Sequence, residues 1–384
     1  MTADARVLLL ITVYNGRAFV PRCIESALHL QHDGFDLDIL VLDDKSPEPG
    51  WSEELEQFCA ERGVGYYCTP RNLGIPRNVS LGLYAAVEGG YTHAVISNSD
   101  VIYASNSMAQ LLACAQSDAG IGSATAFSNN VSIYSIPNTD PDAHLADQSV
   151  VDWVGATLAG AYGDHAIDVP AGISFAMIIP TDVIRQVGAM DPVYGRGYCE
   201  ETDWSLRSKA HGYRIALAPG AFVYHQGGGS NHAAGLLASG HTTVPANERI
   251  IDLRYPLFRT EVGAFASSGI LDELHESSQR TILQQAGRQF GYVVHVGWLP
   301  RVVTAEIVKV MVDPGGSRPT IAVSFRGFRD EIDPGDDVAA AIREYFGCEP
   351  AGLDLFSAGP FSQELRAAFG SVASEAVVSY PERV

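Results

Sequence analysis

Charge is scarce in this chain and one-sided. Only 18% of its 384 residues are Asp, Glu, Lys or Arg, and 45 acids face 25 bases, for a formal net charge of −20. Such a chain has no net attraction for nucleic acid or for an anionic membrane face. Cysteine is sparse as well. Cys23, Cys59, Cys68, Cys114, Cys199 and Cys348 are scattered, with no close pair of the metal- or redox-motif kind, so reduced cytoplasmic thiols are expected. No apolar run approaches the roughly 20 residues a membrane-spanning helix needs. The opening MTADARVLLLITVYNG has too short an apolar run for a signal peptide and reads as the start of a strand. Repeats and low-complexity tracts are lacking too. What is present is 46% hydrophobic residues, enough for a sizeable core. The length suggests two domains, one of them dominant.

The first 125 or so residues alternate between two periods. VLLLITV (7–13), LDILVLDD (37–44), VGYYCT (64–69), THAVISNSD (92–100) and GIGSATAF (120–127) read as strands. Between them, 18–31, 52–62, 79–88 and 105–117 carry apolar residues at helical spacing. This alternation predicts an α/β fold with a doubly wound, mostly parallel sheet. Ligands of such sheets bind outside the carboxyl ends of the strands, where Thr12, Asn15, Asp43, Asp44, Asn98 and Asp100 fall. Residues 128–170 read as an irregular surface excursion. A strand (172–180), a short helix (181–188) capped by Thr181 or Asp182, a helix from 201 to 211, and short strands YRIALAP and AFVYHQ follow. Residues 227–247 read as a mobile loop. From about 262 the pattern changes to a helix (269–288), strands around a turn at Asp313-Pro314-Gly315-Gly316, a helix (335–346), a strand and a last helix (361–369). This is the expected small α+β C-terminal domain, without a catalytic constellation.

Three stretches carry chemistry. Asp43 and Asp44 end a strand in VLDDKS, where carboxylates suit a base NH or ribose hydroxyls, or simply the following turn. ISNSDV ends another strand in Asn98-Ser99-Asp100. Mg²⁺ and Mn²⁺ often sit on one or two carboxylates plus substrate phosphates, and Asp100 can supply one such oxygen. The preceding RNLGIPRNVSLGL offers Arg71, Asn72 and Arg77 near a glycine-bearing turn, a phosphate neighbourhood. The third stretch, CEETDWSLRSKAHGYRIALAPGAFVYHQGGGS, clusters Glu200, Glu201 and Asp203 at a helix start, where acids also complement the dipole. Helical spacing puts Glu200 and Asp203 on one face and turns Glu201 away. His225, ending a strand before three glycines, has a neutral imidazole available to a metal. Together these describe a metal held by Asp100 and His225 beside a diphosphate, with a carboxylate poised to take a proton.

The motifs ITVYNGRAFVPRCIESAL, ILVLDDKS, RNLGIPRNVSLGL, ISNSD, VGAMDPVYGRGYCEETDWSLRSKAHGYRIALAP and VYHQGGGS resemble family 2 glycosyltransferases of the GT-A fold, over about residues 6–260. NERIIDLRYPLF (247–258) is similar to the segment after the histidine motif in rhamnosyl- and galactofuranosyl-transferase-like members. The resemblance implies a catalytic domain at 1–260, with a nucleotide-sugar half at about 1–127 and an acceptor and base half at about 170–260. Residues 261–384 would form a connector and a small domain of unknown role. It implies nucleotide contacts from Asp43, and Asp44 beside it, with Thr12, Tyr14, Asn15, Asn72, Arg77, Asn98 and Ser99 on the donor side. Asp100 would be the metal-binding acid of a DXD-type motif, with His225 as second ligand. Glu201 would be the catalytic base, Asp203 a catalytic partner, and Glu200 and Trp204 would lie on the acceptor side. Two departures stand out: Asn98 replaces the first acid of DXD, and Glu201 stands where the family often has Asp.

The expected activity is inverting, non-processive transfer from a UDP- or dTDP-sugar to an acceptor hydroxyl, assisted by Mn²⁺ or Mg²⁺, with 227–247 as a candidate lid. The acceptor would be a glycan, a lipid-linked saccharide, a peptide or a natural product. Nucleic acid and a membrane span are not expected, and the C-terminal domain is a candidate for homodimer formation. A nucleotidyltransferase is the first rival, disfavoured because YNGRAFVP after strand one is too poor in glycine to cradle a triphosphate. A binding protein that kept the fold and lost its chemistry is the second, and Asn98 is its best support.

Overall fold

The computed structural model describes residues 5–137, 145–227, 244–297, 306–315, 318–355 and 359–370. The chain divides into two compact units, one of 1–135 with 146–271 and one of 136–145 with 272–384.

The first unit starts on β1 (Arg6–Val13), whose unbroken apolar run is almost wholly buried, as strands covered on both faces are. It continues through α1 (Val20–Leu28), β2 (Asp36–Asp43), α2 (Trp51–Glu61), β3 (Gly65–Cys68) and α3 (Ile75–Glu88). Pro21 and Pro76 sit in the first turns of α1 and α3, where no intrahelical N–H is missed. Next come β4 (His93–Asn98), β5 (Val101–Tyr103), α4 (Ser107–Ser117), β6 (Ile121–Phe127), α5 (Gln148–Tyr162), β7 (Ile167–Asp168), β8 (Ala176–Pro180), α6 (Thr181–Val187), α7 (Glu200–Ala210) and β9 (Arg214–His225). Two further helices, α8 (Val244–Arg254) and α9 (Phe258–Ala266), complete the unit. The strand order is β3-β2-β1-β4-β8-β6-β9-β5, with β7 also on β9. β1, β2, β3, β4, β6 and β9 run one way, and β5, β7 and β8 the other. This is the mixed, mostly parallel α/β sheet that the alternation predicts.

Four local expectations need correction. The span 128–170 is not an irregular excursion, because α5 occupies 148–162. Its Asp147 cap accepts from the Ser149 N–H at 2.9 Å, and Val151, Val154 and Leu158 form its buried stripe. Interspersed Gly and Ala dilute that stripe in the sequence. The two short strands near 213–226 are one strand, β9, which crosses Pro219-Gly220 with a register shift against β6. Neither Thr181 nor Asp182 caps α6, since Pro180 is at that position. The Thr181 hydroxyl instead donates to the Tyr91 and Thr92 carbonyls at 2.7 and 3.1 Å. Finally, the end of the expected loop belongs to α8, while residues 228–243, which hold most of that loop and the candidate lid, lie outside the described residues.

The second unit contains most of α10 (Ile270–Phe290), then β10 (Tyr292–Val296), β11 (Val308–Asp313), β12 (Thr320–Phe325), β13 (Phe328–Ile332), α11 (Val338–Phe346), β14 (Gly352–Leu355) and α12 (Pro360–Ala368). Its sheet runs β13-β12-β11-β10-β14. β10 is parallel to β11 and β14, and β11-β12-β13 are antiparallel. Gly316 of the expected hairpin turn lies outside the described residues, though the strands on either side of it do pair. A second hairpin, turning at Arg326-Gly327, follows directly. No helix among the described residues is long and apolar enough to cross a membrane.

Candidate active site

β1 has β2 on one side and β4 on the other, both parallel, so the chain reverses its winding direction at β1. A crevice opens outside the carboxyl ends of strands at such a reversal. Here Thr12 and Asn98 are register partners at that end, and a cleft of about 280 Å³ opens there, lined by Thr12, Tyr14, Asn98, Asp100 and His225 among others. Antiparallel pairing of β5 with β9 brings His225 opposite Val101, and so beside Asp100, across more than a hundred residues of chain.

The His225 ring is held tightly. Its Nδ1 lies 2.8 Å from the Asn130 carbonyl, which requires a proton on Nδ1 and, in the neutral ring, leaves the Nε2 lone pair facing the cleft. That Nε2 lies 3.2 Å from Asp100 Oδ1 and 3.2 Å from Asn98 Nδ2. Asn129 clasps the His225 backbone on both sides, accepting from its N–H at 2.7 Å and donating to its carbonyl at 3.1 Å. Burial opposes a charged imidazole. The hydrogen bond and charge of Asp100 and the Asn130 carbonyl outweigh it and hold the ring's pKa above its ordinary value. Asn129 and Asn130 were not singled out in the sequence, yet they follow the end of β6 as Asn98 ends β4. The strand-end rule applied once more would have found them.

On the donor side the two neighbouring aspartates separate. Asp43 is fully buried and accepts from the Ser46 N–H and hydroxyl, the Ser52 hydroxyl and the Tyr66 hydroxyl, at 2.5 to 2.9 Å. Asp44 is the one that lines the cleft. Its carboxylate accepts from the Leu73 and Gly74 N–H groups at 2.7 and 2.8 Å and from Thr69 at 3.1 Å, which shapes the turn that carries Asn72. Burial raises its pKa against the pull of those donors. Gly74 is required there, because a Cβ would stand 2.1 Å from the Gly195 carbonyl oxygen. Asn72 lines the cleft, whereas Arg77 is exposed, outside the lining, and donates to the Leu73 carbonyl. Asn15 and Ser99 are also outside the lining. Asn15 borders a separate surface hollow with Glu48, and Ser99 is fully buried.

The acids at the start of α7 divide in the same way. Glu200 and Glu201 both line the cleft, so the predicted turning away of Glu201 does not remove it from the site. Each keeps one buried Oε2 with no hydrogen-bond partner among the described residues. Glu200 is pushed well above the carboxylate range by burial and then by the charge of Glu201, and burial raises Glu201 too. Asp203 points elsewhere. It is fully buried and accepts from Tyr194, Tyr255, Arg254 and Arg207 at 2.8 to 3.1 Å, so it has no capacity left for substrate. Trp204 is a core residue whose indole N–H donates to the Gly188 carbonyl at 2.9 Å. The cleft also gains Arg196 and Tyr198, which sequence reading missed. Arg196 is the only Lys or Arg among the described lining residues, and its signal is a cation set between two glycines in GRG.

Residues 9–146 match the family model described as Glycosyl transferase family 2. Solved structures to which this chain shows similarity include the mannosyltransferase PcManGT from Pyrobaculum calidifontis in complex with GDP-Man and Mn²⁺. It is 15% identical, with a TM-score of 0.46 and 78% of each chain covered. S. aureus TarS 1-349 is 11% identical, with a TM-score of 0.43, over 73% of this chain and 80% of that one. GalNAc-T7 with UDP, GalNAc and Mn²⁺ is 16% identical with a TM-score of 0.45, over 58% of this chain. The alignment spans 44% of the GalNAc-T7 chain, less than half its length. No curated protein matches the chain. The family match begins on β1 and runs through the strand ends that build the donor side of the cleft, and over residues 9–146 this chain carries a family 2 glycosyltransferase domain.

Proposed function

We propose that the protein is an inverting, non-processive transferase that moves a sugar from a nucleoside diphosphate to an acceptor hydroxyl, with a divalent cation at Asp100 and His225 and Glu201 as base. The observation that carries this reading is the pairing of Asp100 with His225 in the same cleft as two glutamates that each keep a buried, unpartnered carboxylate oxygen. The residues fit a cation. Two ligand atoms adjacent on an octahedral ion at about 2.1 Å stand about 3 Å apart, and Asp100 Oδ1 and His225 Nε2 are separated by 3.2 Å. The Nδ1–H held by Asn130 is the outer hydrogen bond that metal-binding imidazoles ordinarily make. Among the described residues no set of three His, Cys, Asp or Glu converges, which leaves room for phosphate oxygens and water. Mn²⁺ or Mg²⁺ bound there would neutralise charge developing on the departing diphosphate.

The protein's own groups account for the rest. Burial raises both acids and the charge of Glu201 raises Glu200 further, so Glu201 is the one that ionises more readily and can act as base. Glu201 takes the acceptor hydroxyl proton as that oxygen attacks the anomeric carbon. The bond from that carbon to the diphosphate breaks on the opposite face, so the configuration inverts. Arg196 is a cationic contact for an anionic group in the cleft. Family resemblance favours a UDP- or dTDP-sugar, and a glycan, lipid-linked saccharide, peptide or natural product can present the hydroxyl. Association of two chains through the second unit belongs to the same proposal.

A thermal-shift panel of UDP, dTDP, GDP, CDP and ADP, each with and without Mn²⁺, tests the reading. Stabilisation by one diphosphate, enlarged by the metal, is expected through binding linkage. No shift with any of them would overturn it. Glu201→Gln should lose on the order of 10²- to 10⁴-fold in transfer while keeping the diphosphate shift. His225→Ala should raise the Mn²⁺ concentration at which the shift is half complete, and an unchanged midpoint would remove His225 from the ligand set.

A further inference from the structure

The turn that presents the two glutamates is held in place from outside. Gly197, Tyr198 and Cys199, which lead directly into α7, have φ values of 129°, 73° and 72°. Left-handed backbone is unfavourable for tyrosine and cysteine and persists only where the surroundings over-determine it. The glycine is needed on steric grounds too, since a Cβ at 197 would lie 2.9 Å from the Ile75 side chain. Asn247, on α8 and only 5% exposed, supplies the restraint. Its Nδ2 donates to the carbonyls of Tyr194, Gly197 and Tyr198 at 3.0, 2.8 and 2.9 Å. Two N–H groups thus serve three carbonyls of one turn. The following residues grip α7 itself: Arg254 and Tyr255 reach Asp203 Oδ1 at 2.8 and 2.9 Å.

We propose that Asn247 is a positioning residue for the reaction, setting how far Glu200 and Glu201 project into the cleft. The proposal rests on the reading of Glu201 as base. An asparagine suits the task because it offers two donors without charge. Aspartate, nearly the same size, would set an anion against three carbonyl oxygens. A residue needed only for folding would behave differently, and Ile251 provides the comparison. It lies one turn further along α8, is equally buried, and packs with Tyr194 and Leu206 without touching the turn's carbonyls through a polar group.

The test compares Asn247→Asp with Ile251→Ala in the full chain, well below both melting temperatures. Three quantities are read: UDP affinity with Mn²⁺, release of UDP from UDP-glucose or UDP-galactose, and amide hydrogen exchange over 195–203. Asn247→Asp should cut kcat on the order of 100-fold, as expected for a reacting group displaced by about 1 Å. It should leave UDP affinity within about twofold and speed exchange of that segment about tenfold or more. Ile251→Ala should lower the melting temperature yet keep kcat and the exchange pattern of the turn. If Asn247→Asp keeps the 195–203 protection, or loses protection and turnover only in step with Ile251→Ala, the proposal fails. If the wild type neither binds UDP nor turns over, this choice of nucleotide fails, and the exchange comparison alone decides the clamp.

Discussion

Two residues set the tone of the cleft. Glu200 is buried beside Glu201, and both are raised above the carboxylate value of 4.5. An acid raised on folding stabilises the fold while protonated; that contribution is complete below the unfolded value and is lost as pH climbs through the folded one. Wild-type stability should therefore decline above about pH 5 on this account. Glu200→Gln stays neutral, so it should melt above wild type near pH 8 and close to it near pH 4, as melting curves across pH will show. A variant no more stable than wild type at the higher pH would mean that Glu200 is not ionising at a cost. Asn98 is the second such residue. Its Nδ2 lies 3.2 Å from His225 Nε2, and the family resemblance leads one to expect an acid at this position. Asn98→Asp should tighten Mn²⁺ binding by on the order of tenfold in calorimetry, one added carboxylate close to the ion being worth about one pKa-unit equivalent.

At the scale of elements, α7 has two ends with different work. Its leading residues enter the cleft, and Asp203, one turn on, anchors the helix to Arg207, Arg254, Tyr194 and Tyr255. Removing one partner from a buried ionic cluster costs about 3 kcal/mol, because the remaining groups are left uncompensated. Asp203→Asn should lose stability of that order in urea unfolding, while UDP affinity per folded molecule holds. A loss of affinity without a loss of stability would place Asp203 in the chemistry after all. The pairing of β5 with β9 is the other decisive element. It carries His225 to Asp100, and Asn129 and Asn130 lock it there.

At the scale of the molecule, every described residue that lines the cleft belongs to the first unit. A chain ending at Leu271 should therefore keep the diphosphate-induced thermal shift if it folds, which circular dichroism will report. A folded fragment with no shift would show that the nucleotide site needs the second unit. That unit has its own five-stranded sheet and its own pair of titratable groups, the buried His295 with its Nδ1 3.0 Å from Oδ2 of the partly exposed Asp354.

Strand-helix periodicity was enough to read the sheet, because strands buried on both faces must be continuously apolar and β1 is. The same periodicity put Thr12, Asp44, Asn98 and Asp100 at strand ends, and residue chemistry marked His225, Glu200 and Glu201. Local pattern could not say which of two neighbouring acids faces the cleft and which faces the core. Asp43 against Asp44, and Glu201 against Asp203, were decided by hydroxyls and guanidinium groups that come from other elements. Arg77 gave way to Arg196 for a related reason: a cation's place in a cleft depends on which loops approach one another, here through Gly74 and Gly195. The chemistry available to this protein is thus written in its residue types and their spacing along strands and helices. Which of those residues face the cleft was decided only when distant segments closed around them, since a carboxylate satisfied by buried donors has no capacity left for a substrate.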